Sequence, residues 1–366
     1  MTVGYYAPLP PARTGVADYA AALLAELRRH GQVEVSPSRC DIALYQLGNN
    51  PLHSDIYRRA LDRPGVVTLH DAVLHHFLLG QLSETEYIEE FVYNYGEWNR
   101  SLAHELWNAR PGSGADTRYF EYPMLKRAVE RALAIVVHNP AAARMVRAAA
   151  PQARVAEIPH LLFESPAVRE RETARYRKRL GIDESAFVFG VFGYLRESKR
   201  LHPILDVFRE VYAALPATAL LVAGDFVSAT LDRCVAPLLH QPGVVRRPFL
   251  EDTEFRLAAN MVDACMNLRD PAAGETSGIV VRMMGLGKPV LVTDGEECSR
   301  FPEDACVRIP PGPAERESLL AHMILLPSMK EVARSIGSRG AAYIAEHHRV
   351  DRIGQQYWDL LCDSYR

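Results

Sequence analysis

The chain has only six cysteines in 366 residues, at positions 40, 234, 265, 298, 306 and 362. No two form a Cys-x-x-Cys pair and none has zinc-site spacing, so they read as reduced, buried thiols of a cytoplasmic protein. No window approaches ~20 uninterrupted apolar residues, which excludes a membrane-spanning helix. The start, MTVGYYAPLPPARTG, has neither a basic leader nor a long apolar core, so no signal peptide is expected. A net charge of −3 gives no electrostatic case for nucleic acid as the main partner. Gly-x-Gly-x-x-Gly and Gly-x-x-x-x-Gly-Lys-Ser/Thr are both missing, which argues against a dinucleotide dehydrogenase and a P-loop NTPase.

What is present is a soluble globular composition, 48% hydrophobic and 24% charged. The length exceeds what one core usually fills, roughly 250–300 residues, so two domains are expected. Short buried strands alternate with helices throughout. In the first half, strands are expected at Thr2–Tyr6, Asp41–Leu47, Val66–Leu69, Ala134–Val137 and Val155–Ile158. In the second they are expected at Phe187–Phe192, Ala219–Val222, Val244–Arg246, Ala264–Met266 and Val290–Thr293. A charged stretch from Phe163 to Ile182 reads as the crossover between domains plus one surface helix. Residues 1–165 and 166–350 are therefore expected as two Rossmann-like domains facing across a deep cleft, with a helix over 351–366 packing back on the N-terminal domain. An aromatic-rich helical insertion over about 78–126 interrupts the first half. It reads either as packing on the domain or as a lid on the acceptor side, with peripheral membrane contact compatible with that face.

Polar residues gather where these strands end, the edge at which open α/β sheets bind ligands. His70-Asp71 follows Val66–Leu69, Gly-Asn-Asn-Pro follows Leu47, and His138-Asn139 follows Val137. Gly15 stands at a helix start, where unpaired amides suit an anion. The stretch Asn267–Asp294 runs from strand through a loop bearing Glu275 into a helix and then a second buried strand. It too suits a phosphate at the helix start. His70, His75 and His76 lack a carboxylate at ligand spacing, and no metal or cofactor is expected.

Five segments in this order resemble the retaining glycosyltransferases of family 4, which have the GT-B fold, and the resemblance covers nearly the whole chain. PLPPARTGVADYAAALL is similar to the glycine loop and first helix of a bacterial subgroup with a Gly-x-Ala-Asp-Tyr signature. YQLGNN and VVTLHDAVLHHF resemble its next two segments. GYLRESKRL resembles its donor loop, and GETSGIVVRMMGLGKPVLVTD its version of the Glu-x7-Glu region.

The resemblance implies His70 beside the transferred sugar, Lys199 neutralising the leaving diphosphate, and Glu275 addressing the donor sugar. It implies donor contacts from Arg13, Gly15, Gly193, Arg196, Arg200, Gly224, Thr276, Ser277, Gly278, Ile279, Val280 and Arg282. On the acceptor side it implies Asp18, Tyr19, Asn49 and Asp71. Two departures stand out. Tyr194 occupies the position of the usual donor-loop arginine, which throws its charge onto Lys199 with Arg200 or Arg196. The second glutamate of Glu-x7-Glu is replaced by Met283 or, aligned on Gly287-x-Pro289, by Arg282, which could meet a phosphate or ribose hydroxyls.

The expected function is metal-independent hexosyl transfer, with retention, from a nucleoside diphosphate sugar to an acceptor hydroxyl. Its partners are then that donor and a glycan, lipid-linked or natural-product acceptor. The competing expectations are a catalytically impaired nucleotide-sugar-binding or scaffold protein and a nucleotide-sugar epimerase.

Overall fold

The computed structural model describes residues 1–162 and 166–366; the expected domain boundary at residue 165 lies outside the described residues. The chain divides into two units. One is formed by Met1–Phe163, Pro271–Thr276 and His348–Arg366, the other by Glu164–Asp270 and Ser277–His347.

The first unit is built on a six-stranded sheet in the order β2-β1-β3-β4-β5-β6. The strands are β1 (Thr2–Tyr6), β2 (Gln32–Val35), β3 (Ile42–Leu47), β4 (Val66–Leu69), β5 (Ala134–Val137) and β6 (Val155–Glu157). Every neighbouring pair is parallel. β3, β4 and β5 are buried along their whole length, as strands covered on both faces must be. One face packs against the helix Gly15–His30 and the C-terminal helix Val350–Tyr365, through Tyr19, Leu23 and Leu27 of the former and Ile353, Tyr357 and Leu361 of the latter.

The other face carries the insertion. Its helices Glu84–Tyr95, Arg100–Ala109 and Arg118–Glu121 bring Tyr87, Phe91 and Tyr119 wholly into the core. Most of these aromatics therefore fill an interior rather than line an acceptor surface. His75 is part of the same packing, with one ring nitrogen 2.8 Å from Tyr122 O and the other 2.7 Å from Tyr87 Oη. Tyr93 and, at 93% exposure, Trp98 are exceptions. Trp98 sits in the turn Glu97–Asn99 between two of the helices.

The second unit repeats the plan in the order β12-β11-β10-β7-β8-β9. Its strands are β7 (Phe187–Phe192), β8 (Thr218–Ala223), β9 (Val244–Arg247), β10 (Ala264–Asn267), β11 (Val290–Thr293) and β12 (Val307–Ile309). All are parallel. Phe187, Phe189 and Val191 alternate onto one face and pack with Leu201, Ile204 and Phe208 of the helix Leu201–Ala214.

Two strands escape the sequence reading. β2 is an edge strand with a single buried residue, Val33, and β12 is three residues long. Neither carries the continuous apolar run that marks a central parallel strand. No helix among the described residues is long and apolar enough to cross a membrane.

Candidate functional site

In the second unit, the loops after β7 and β8 meet backbone to backbone. Gly193 N–H donates to Ala223 O at 3.0 Å, Leu195 N–H to Asp225 O at 2.8 Å, and Val227 N–H to Leu195 O at 2.9 Å. Gly224 has φ +145°, and a Cβ there would stand 2.1 Å from Gly193 O. Only glycine permits that conformation and that approach. The loop then turns through Glu197–Lys199 and delivers Lys199 back to the strand end. The Lys199 ammonium donates to Phe192 O at 2.9 Å and would lie 3.0 Å from a Cβ on Gly193. The residue is only 8% exposed, so a buried cation is held at the carboxyl end of a central parallel strand.

Two arginines expected beside it are engaged elsewhere. Arg200 adopts the left-handed region, φ +58°, and turns its guanidinium to Glu315. Nε lies 3.0 and 2.9 Å from the two carboxylate oxygens and Nη2 lies 2.7 Å from Oε1. Glu315 is buried, and Arg200, expected among the donor contacts, is its ion-pair partner in this structure. Arg282 lies 4.4 Å over the Phe255 ring and 3.4 Å from Asp252 Oδ1. Arg282, expected to meet phosphate or ribose, packs here on the helix Asp252–Met261, from the flank of its own helix rather than its first turn. Arg196 is exposed at the start of the Lys199 turn.

The helix Gly278–Gly285 follows Ser277, whose hydroxyl makes no capping bond. That oxygen is buried and has no hydrogen-bond partner among the described residues. The amides of Gly278, Ile279 and Val280 form the first turn, where N–H groups have no partner within the helix.

In the first unit, the loops after β3 and β4 are tied by side chains. Asp71 Oδ2 accepts from Asn49 N–H at 2.8 Å, and Asn49 Oδ1 accepts from Phe77 N–H at 2.7 Å. Asn49 and Asp71, expected on the acceptor side, thus lock these two loops together. The Glu275 loop belongs to this unit by its contacts. Ala72 N–H donates to Ala273 O at 2.9 Å, and Asn139 Nδ2 donates to Gly274 O at 3.0 Å and Thr276 Oγ1 at 2.9 Å. Gly274, at φ +68°, would clash through a Cβ with that of Ala72 at 2.7 Å. Glu275 Oε2 accepts from Ala273 N–H at 2.8 Å. His70 and the Glu275 loop are thereby brought together.

His70 is 8% exposed. Its Nε2 lies 2.8 Å from Gln46 Oε1, and its ring meets Tyr19 edge-on at 4.7 Å and His138 at 5.2 Å. Tyr19 also faces His138 and His160, at 5.3 and 4.8 Å. It is wholly buried, and its hydroxyl lies 2.9 Å from that of Tyr357. Tyr19, expected on the acceptor side, falls on the inward helix face with Leu23 and Leu27. Arg13, Gly15 and Asp18 are exposed on the preceding loop and outward helix face. Thr14 rather than Gly15 caps the helix, accepting from Val16 N–H at 3.4 Å, and Gly15 is its first residue with open space beside it.

Burial, reinforced by neighbouring histidines, drives the His70 and His160 imidazoles well below the ordinary value of 6.5. Burial also brings His138 down to about 4, against the opposing hydrogen bond of its Nδ1 to Ile158 O at 2.8 Å. All three rings are neutral near pH 7. Among the described residues no three His, Cys, Asp or Glu side chains group as a metal site.

Sequence reasoning overlooks Gln46, Thr68, His160 and Tyr357 as parts of this arrangement. Gln46 and Thr68 do give a signal, since each is a polar residue inside a wholly buried strand that needs a partner. Tyr357 gives none, because it fits the apolar face of its helix equally well.

No protein-family model matches this sequence, and neither does any curated protein. Solved structures do match along the whole chain. HepE of Anabaena, in complex with UDP and glucose, has TM-score 0.67 at 16% identity over 99% of this chain and 100% of that one. Sucrose-phosphate synthase from Thermosynechococcus elongatus has TM-score 0.66 at 13% identity, over 99% and 98%. WaaG, a glycosyltransferase involved in lipopolysaccharide biosynthesis, has TM-score 0.64 at 13% identity, over 98% and 99%. With two parallel six-stranded sheets flanked by helices, the chain has the GT-B fold of two Rossmann-like domains.

Proposed function

We propose that the protein is a glycosyltransferase that moves a sugar from a nucleoside diphosphate sugar to an acceptor hydroxyl, with retention and without a metal ion. The observation that carries this reading is Lys199: a buried ammonium at the carboxyl end of β7, in a fold shared with proteins solved with UDP and UDP-glucose. Breaking the bond between sugar and diphosphate separates charge. The leaving diphosphate becomes more anionic while the sugar becomes oxocarbenium-like. A fixed ammonium in a dry setting stabilises the anion without reorganising, the work a metal ion does in other transferases. The free amides of Gly278–Val280 and the unbonded Ser277 hydroxyl offer further donors to phosphate oxygens.

His70 and Glu275 take the sugar. A neutral imidazole can accept or donate to a sugar hydroxyl, and the Glu275 carboxylate, fixed by the Ala273 amide, orients hydroxyls from the same unit. No side chain is assigned as a covalent nucleophile. Retention is assigned to attack on the face the diphosphate leaves, with the departing phosphate oxygen taking the acceptor proton. Arg200 and Arg282 are left out of the donor set.

A panel of UDP-, GDP- and TDP-sugars, scored by thermal protection and then by product, tests the reading. The expected outcome is protection by one nucleotide class, UDP being the first candidate, and an axial-to-axial or equatorial-to-equatorial product unaffected by chelator. Release of free sugar or UDP with no acceptor needed would favour an epimerase instead. Absence of protection by any nucleotide would overturn donor binding and leave a scaffold.

A further inference from the structure

The polar side chains behind His70 form one continuous relay. Gln46 Oε1 faces His70 Nε2 at 2.8 Å, and Gln46 Nε2 donates to Thr68 Oγ1 at 3.3 Å. Thr68 Oγ1 lies 3.2 Å from Tyr357 Oη, which in turn lies 2.9 Å from Tyr19 Oη. Gln46, Thr68, Tyr19 and Tyr357 are all 0% exposed. Four elements contribute: β3, β4, the helix Gly15–His30 and the C-terminal helix.

The direction of the relay follows from donor and acceptor inventory. Gln46 spends a donor on Thr68, so its carbonyl oxygen is the group turned to the imidazole. A carbonyl only accepts, so the ring nitrogen it faces must carry the proton. Nδ1 then keeps its lone pair, and no hydrogen bond to Nδ1 is formed by any described residue. Burial pushes the Tyr19 and Tyr357 phenols well above their ordinary value, so both remain hydroxyls that can anchor Thr68.

We infer that Gln46 and Thr68, anchored by Tyr357 of the C-terminal helix and Tyr19, are positioning residues that hold His70 as its Nε2–H tautomer with Nδ1 presented as the acceptor. The sugar hydroxyl this nitrogen receives rests on the proposed transferase reading; the tautomer does not. An unpaired imidazole in water prefers neither arrangement strongly enough to define a reacting geometry. Here a fixed amide makes the choice before any ligand arrives, which is preorganisation of the kind that spares reorganisation during the reaction. It also gives the C-terminal helix a share in the site, through atoms that never reach the ligand.

The test is a long-range nitrogen–proton correlation spectrum of the full chain with isotope-labelled histidine, recorded without any nucleotide. His70 is assigned by the signals lost in His70→Gln. The expected wild-type spectrum shows His70 neutral with Nε2 protonated. Gln46→Leu should mix the two tautomers and lower turnover by about tenfold while leaving donor KM within about twofold. Gln46→Glu, which keeps an acceptor oxygen, should restore the Nε2–H form. Tyr357→Phe removes one oxygen from an otherwise unchanged ring and should make the minor tautomer detectable, and it serves if Gln46→Leu fails to fold. A wild-type His70 protonated on Nδ1, or signals unchanged in both Gln46→Leu and Tyr357→Phe, would overturn the relay. Absent turnover in the wild type would sink the transferase reading and leave the spectrum intact.

Discussion

After β4 in the first unit, side chains add most of the ties between strand-end loops beyond the backbone bonds of His70 to Leu47 and Ala72 to Ala273; after β7 in the second, direct backbone contact between two loops is the main tie. Around His70, a carboxylate, three amide side chains and a run of hydroxyls tie β3, β4, β5 and the Glu275 loop together. Around Lys199, Gly193 and Gly224 remove side chains so that two loops can touch directly. The first arrangement controls where a proton sits on a neutral ring. The second brings two loops into direct contact and supplies one buried positive charge. In the proposed reaction a sugar needs oriented hydrogen bonds and a diphosphate needs charge, and one construction is assigned to each.

The largest test of the contrast is Lys199→Ala. If the ammonium stabilises the leaving diphosphate, turnover should fall by 10²–10³, matching roughly 2.7–4 kcal/mol of lost transition-state stabilisation. Unchanged turnover would end the assignment. Next is Gly224→Ala, whose methyl would meet Gly193 O at 2.1 Å. A cost of about 3 kcal/mol in urea unfolding is expected, from strain and overlap together. A loss below about 1 kcal/mol would mean that the loops separate easily and the backbone contact holds little.

Arg200→Ala tests whether that residue acts through its ion pair or at the donor. It strips the partner from the buried Glu315 carboxylate, and because Arg200 itself keeps 30% exposure the expected loss is about 2–3 kcal/mol. Donor KM should move little. A large rise in donor KM with unaltered stability would return Arg200 to the donor site.

The smallest effect per residue is the acid response of the first unit. His138 titrates at about 4 when folded, against an ordinary 6.5, because burial penalises its charged form. Below pH 6.5 the unfolded chain binds a proton that the folded chain refuses. Its contribution is therefore complete above that pH and is lost as pH falls toward 4, by up to about 1.4 kcal/mol per unit. Urea midpoints at about pH 7.5 and about pH 5 should show this slope, and His138→Asn should flatten it by roughly one proton's worth. An unchanged slope would show that the ring is protonated without penalty.

The central strands were legible because a parallel strand covered on both faces must be apolar throughout, and FVFGVF and VLVT state this directly. The edges were not. QVEV has one buried residue, and nothing in its composition separates it from a loop. The same logic divides the site. The placement of His70, Asp71 and Lys199 at or beside strand ends was readable, since each follows a continuous apolar run. The contacts of Arg200 and Arg282 were not legible, because sequence gives the charge of an arginine but not the direction of its side chain, and Glu315 lies more than a hundred residues from Arg200. Tyr19 is a mixed case. Its signature neighbours suggested a ligand, while its helical phase with Leu23 and Leu27 already placed it inward.

The C-terminal helix has one more consequence, and it concerns the order in which the protein is made. Ile353, Tyr357, Leu360 and Leu361 complete a core whose other members, from Val3 to Leu161, leave the ribosome far earlier. Until synthesis passes residue 361, Tyr5, Tyr19 and Leu23 lack part of their cover and Thr68 lacks its anchoring phenol. The first unit to emerge is then the last to be finished. A ribosome stalled before His348 should carry a first unit open to protease in the helix Gly15–His30, and release of the remaining residues should close it.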